Sequence, residues 1–102
     1  MARAAATVYA RSLRAHREWL VAEVASGMSL ADLQYEEASD SRVGTVKVVV
    51  LAEAIPAAGK VRARRAMAAL GIAPDARWGE LDPTVAATLW RQLVAPAPPV
   101  TD

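Results

Sequence analysis

The run Thr45-Val46-Lys47-Val48-Val49-Val50-Leu51-Ala52-Glu53-Ala54-Ile55 decides the fold. Its β-branched first half favours a strand, because two heavy atoms on Cβ stiffen the side chain and suit a pleated surface. Its second half, Leu51 to Ala54, favours a helix. The rest of the chain reads as helical, and one strand without a partner is not stable. The run is therefore assigned to a helix over 45–55, and the chain to the all-α class.

Directly after it, Ile55-Pro56-Ala57-Ala58-Gly59 is a tight Pro/Gly turn that opens into Lys60-Val61-Arg62-Ala63-Arg64-Arg65-Ala66-Met67. The spacing predicts a helix from Lys60 to about Leu70, closed by Gly71. Ala63, Ala66, Met67 and Leu70 form its core stripe, spread over roughly 100° of arc. Lys60 and Arg64 fall on one flank of the opposite face, Arg62 and Arg65 on the other, so all four cations are expected to reach solvent. Pro74 to Glu80 reads as a loop. Asp82-Pro83 is an N-cap followed by proline at the first helical position, a strong start signal. That last helix turns Val85, Leu89 and Leu93 inward and ends near Val94.

Toward the N-terminus, residues from about Ala5 to Ser26 read as one long helix, with Leu13, Leu20 and Val24 at helical spacing and Gly27 as its stop. Ser29 is the N-cap of a short second helix reaching about Ala38, and Ser39-Asp40-Ser41 breaks it. The domain reading is an N-terminal helix over 1–28, a compact helical domain over 29–94, and a disordered proline-rich tail over 95–102.

Composition removes several function classes. The 102 residues include no cysteine and one histidine, which excludes disulfides, thiolate metal sites and His-based relays. No apolar run nears the ~20 residues of a membrane span, and no signal-peptide core follows the start. A cytoplasmic location is expected. Net charge is only +1, but it is striped: residues 20–42 sum to −4 and residues 43–65 to +4. One face is thus expected to meet an anion.

The basic stripe contains the turn. Free amides at a helix start, the positive end of the helix dipole and four nearby cations together suit a phosphate. With ~3–5 phosphates engaged, log affinity is expected to fall with log salt at a slope of about −3 to −4.5. Trp78 reads as a core plug beneath the last helix rather than a wedge between base steps. Trp19 and Trp90 read as core or interface residues, and His16 as an exposed or half-buried side chain. Asp32, Glu36, Glu37 and Asp40 read as a solvated acidic face. No nucleophile–base pair, metal-ligand set or cofactor motif is visible, so neither enzymatic activity nor a cofactor is expected.

From about Arg17 to Leu93 the chain resembles the actinobacterial type of integration host factor, a small helical nucleoid-associated protein. The resemblance is carried by Ser26-Gly27, Ser29-Leu30, Ala38-Ser39-Asp40, Gly44-Thr45-Val46-Lys47-Val48, Leu51-Ala52-Glu53-Ala54-Ile55-Pro56, Gly59-Lys60-Val61-Arg62-Ala63 and Leu70-Gly71-Ile72-Ala73-Pro74. It implies a long N-terminal helix before an S13-like helix–two-turns–helix domain. That domain would bind and bend duplex DNA with little sequence preference, in integration, recombination or nucleoid organisation. By position, Pro56, Ala57, Ala58 and Gly59, with Lys60 and Arg62, match the DNA-gripping hairpin, and Lys47 matches a lysine at the start of the preceding helix. In the loop after Pro74 the family carries several arginines, of which Arg77 remains, joined by Asp75 and Glu80. Arg64 and Arg65 stand as compensating cations. A phage or recombination protein is a second candidate partner. Two alternatives stay open: a protein–protein interaction module, and a binder of structured RNA.

Overall fold

The structure, a computed structural model, describes residues 2–96. Five α-helices follow one another: α1 (Ala2–Ala25), α2 (Leu30–Ser39), α3 (Val48–Ala54), α4 (Lys60–Ala69) and α5 (Pro83–Val94). Two 3-10 turns, Val43–Thr45 and Trp78–Glu80, lie between them. The all-α expectation holds, with a long first helix. Residues 97–102, and with them most of the tail expected to be disordered, lie outside the described residues.

The helix boundaries follow from local chemistry. α1 closes in a Schellman motif: Met28 N–H donates to the Glu23 carbonyl and Gly27 N–H to Val24, each at 3.0 Å, with Gly27 at φ +103°. α4 closes the same way, with Ile72 N–H on Met67 at 2.9 Å and Gly71 N–H on Ala68 at 3.1 Å. Ser29 Oγ accepts from Asp32 N–H at 3.1 Å and starts α2. Asp82 Oδ1 accepts from Thr84 N–H at 2.8 Å and, with Pro83 behind it, starts α5.

α3 packs against α1 on one side and α4 on the other. Leu20 and Val24 of α1, Leu51 of α3, Ala63 of α4, and Leu89 and Leu93 of α5 are buried to within 1 %. Burial of this kind overrides the poor helix propensity of three consecutive valines. Trp78 is 3 % exposed and meets Trp90 edge-on at 5.7 Å, the core plug that its position suggests. Trp19, at 43 % exposed, is not a core residue.

The valine run is helical only from Val48. Val46 and Lys47 are extended, and Lys47 forms an isolated antiparallel bridge with Arg77. Trp78 N–H donates to the Val46 carbonyl at 2.8 Å, and Val48 N–H to Ala76 at 2.9 Å. The segment expected to be a plain loop thus supplies a short strand-like partner, so the β-branched residues find in miniature the pairing that their propensity favours.

His16 corrects a second expectation. It is 8 % exposed, under the junction of α2 with the first 3-10 turn. Its Nε2 lies 3.5 Å from Asp40 Oδ2. The Asp40 carboxylate also accepts from Arg42 Nη2 at 2.6 Å, and Arg42 Nη1 donates to Ser12 Oγ of α1 at 2.7 Å. This polar knot fastens α1 to the body.

Candidate nucleic-acid interface

The turn between α3 and α4 is built by residue preference. Ala58 N–H donates to the Ile55 carbonyl at 3.0 Å, Pro56 sits at the second position, and Ala57 at the third has φ +66°. These are the features of a type II turn, whose third position normally takes glycine. Gly59 follows at φ +74°, and α4 begins at Lys60. Pro56, Ala57 and Gly59 are exposed, whereas Ala58 points into the core at 5 %.

Of the amides at this corner, Ala58 is occupied by the turn itself. Those of Ala57, Gly59, Lys60, Val61 and Arg62 have no acceptor among the described residues. The N-terminus of α4 therefore offers a set of free N–H donors to solvent, reinforced by the helix dipole.

The four cations after the turn do not behave alike. Lys60 and Arg65 are exposed without a partner among the described residues, and with Gly59, Arg62 and Gln92 they line an open cleft between the turn and α5. Arg62 is turned inward on main-chain carbonyls: its Nη2 donates to Gln92 at 2.5 Å and to Ala95 at 2.6 Å. Arg64 lies on another side of α4, where its Nε donates to Glu53 Oε1 at 2.9 Å. Lys60, Arg64 and Arg65 reach solvent as expected, Arg64 at 67 % exposed while paired with Glu53; Arg62, half-buried against α5, departs from that expectation.

Lys47 and Arg77 form a second positive group at the opposite end of α3, whose seven residues span ~10 Å at 1.5 Å per residue. Lys47 is exposed. Arg77 is fixed at both ends: its main-chain N–H donates to Glu80 Oε1 at 2.9 Å, and its Nη1 donates to the Thr45 carbonyl. Arg14 and Arg17 of α1 line the same hollow as Arg77. The sequence names Lys47 and Arg77 as DNA-binding candidates and the arginines of the first helix as a candidate extension, but it carries no sign that Arg14, Arg17, Lys47 and Arg77 are neighbours. Among the described residues, no group of three or more histidine or carboxylate side chains is placed to hold a metal ion. Nor is any helix there long and apolar enough to cross a membrane.

This arrangement of α3, turn and α4 lies within residues 24–92, which match the family model of the S13-like H2TH (helix–two-turns–helix) domain. The chain belongs to that family. It is also similar to a solved structure of sIHF bound to an 8-base-pair palindromic DNA, at 31 % identity and a TM-score of 0.72. The match covers 83 % of this chain and 97 % of that one, which places the chain in the integration host factor type to which sIHF belongs. No curated protein matches the chain.

Proposed function

We propose that this H2TH protein is a non-enzymatic architectural binder of duplex DNA. Residues 29–94 form the binding domain and 1–28 its N-terminal helix. The observation that carries the reading is the corner at Pro56 to Gly59: free amides at the start of α4, with Lys60 and Arg65 exposed beside them. Main-chain donors fix one phosphate, and the two cations neutralise its neighbours. Lys47 and Arg77 engage the backbone at the far end of α3, with Arg14 and Arg17 extending the positive surface. Contacts of this kind read backbone and deformability more than base identity, which suits a bending protein of the nucleoid.

Salt titration of the affinity for a mixed-sequence duplex should give a log–log slope of about −3 to −4.5, for ~3–5 phosphates. Paired substitution Lys60→Glu with Arg65→Glu should remove most of that binding, and an affinity indifferent to both salt and the substitutions would refute the proposal. Competition with duplex RNA at fixed salt distinguishes the RNA alternative.

A protein partner is a second reading. It is favoured by an apolar groove lined by Val24, Met28, Leu30, Pro56, Trp90 and Val94, which borders the turn. A phage or recombination protein seated there would lie next to bound DNA.

A further inference from the structure

We infer that Arg62 is a positioning residue, whose guanidinium braces the phosphate-facing turn against the C-terminus of α5 instead of reaching for the duplex. The inference rests on the DNA-binding reading given above, and it assigns to one of the matched hairpin cations a different task.

A helix end leaves its last carbonyls without intrahelical donors, and these need other partners. At the end of α5, Ala95 N–H closes on the Arg91 carbonyl at 3.2 Å, which leaves the carbonyls of Gln92 and Ala95 to be met from elsewhere. Arg62 meets both, at 2.5 and 2.6 Å, which commits the two hydrogens of Nη2. Its Nη1 also lies 3.5 Å from the carbonyl of Ala57, a long contact onto the turn. A cation at the negative end of a helix dipole is favourable as well.

The contacts fall on a part of the backbone that needs holding. Ala57 is an L-residue at φ +66°, in the left-handed region that a Cβ disfavours. Ala57 and the free amides of Gly59 and Lys60 belong to one short stretch, so the direction of those amides depends on how that stretch is seated against α5. Arg62 joins the two. Both short bonds leave Nη2 while the turn contact leaves Nη1, so a lysine, with a single nitrogen, could reach the end of α5 but not hold the turn at the same time. Lys60 and Arg65 carry no such internal commitments and remain free for phosphate.

Affinity for a mixed-sequence DNA duplex across a salt series tests the assignment on Arg62→Lys, Arg62→Ala, Lys60→Ala and Leu33→Ala. Both Arg62 variants should bind about 5–10-fold more weakly at every salt concentration with an unchanged slope, the signature of lost preorganisation. Lys60→Ala should make the slope shallower by about 0.9, as a lost phosphate contact does. Leu33→Ala removes a fully buried side chain on α2, far from the turn in the chain; it should lose stability yet bind normally. In the free protein, amide resonances of Ala57, Gly59 and Lys60 should move in Arg62→Lys and stay in place in Leu33→Ala. In the unaltered chain, the η protons of Arg62 should be resolved and slow to exchange.

A shallower slope in Arg62→Ala, restored together with affinity by Arg62→Lys, would overturn the inference in favour of direct contact. So would unchanged affinity in both variants, or freely rotating η protons at Arg62. The resonance measurements need no DNA, so the brace is decided even if the duplex does not bind; loss of binding by the whole series would instead count against the proposed function.

Discussion

Gly44 and Gly79 meet backbone to backbone: a Cβ built on Gly79 would lie 3.1 Å from both the Cα and the carbonyl oxygen of Gly44. The two 3-10 turns can press together this closely because neither residue carries a side chain. The reverse addition, at Gly44, meets the Cα of Gly79 at 3.4 Å, an ordinary contact. Gly79→Ala should therefore cost about 1–3 kcal/mol through forced separation of the turns. Gly44→Ala should cost less. Urea unfolding of the two variants side by side checks the order, and equal costs would contradict it.

The turn at Ala57 permits a stabilising change. Glycine there removes a left-handed penalty of about 1–2 kcal/mol and adds about 0.4–1 kcal/mol of unfolded-chain entropy. Ala57→Gly should raise stability by roughly 0.8 kcal/mol, the difference between the middles of those two ranges. A lower unfolding midpoint for this variant would show that the turn is not strained.

Acid should loosen the α1 attachment. The side-chain hydrogen bond from Arg42, followed by the Arg42 amide, holds the Asp40 carboxyl far below its ordinary value of 3.8, and His16 adds to the effect. A depressed carboxyl pKa gives stability that is complete above the unfolded value and is lost as pH falls below it. Melting temperature should thus drop below about pH 4 more steeply in the unaltered protein than in Asp40→Asn, which lacks the titrating carboxyl. Parallel acid profiles would contradict that.

The tryptophans differ in burial, and the difference is measurable. Trp78 and Trp90 are at most 4 % exposed and Trp19 is 43 % exposed, so iodide should quench Trp19 alone. Removing Trp78 should cost about 3–5 kcal/mol, as is usual when an aromatic is deleted from a core. Unquenched fluorescence from Trp19→Phe, set against the quenched parent, completes the check.

Features that depend on neighbours in sequence were legible. Asp82-Pro83 announces α5, Gly27 and Gly71 announce the ends of α1 and α4, and Pro56 with Gly59 marks the turn, because each preference acts within a few residues. Features that depend on remote partners were not. The strand-like set of Val46 and Lys47 needs Ala76 to Trp78, thirty residues on. The inward turn of Arg62 needs carbonyls at the end of α5, and the burial of His16 needs the α2 junction to fold across α1. In the candidate site, the chemistry of the cations was readable while the division of labour among them was not, since a guanidinium serves a phosphate or a carbonyl equally well.

The first helix has 24 residues, ~36 Å at 1.5 Å per residue, and the molecule measures 61 × 26 × 22 Å. Such a rod outruns the body it is fastened to, and Val8 and Tyr9 stand 65 % and 60 % exposed along it. In solution the particle behaves as a prolate body: it rotates quickly about its long axis and slowly end over end. N–H vectors aligned with that long axis will show faster transverse relaxation than vectors lying across it, so relaxation rates report how each helix is set against the rod.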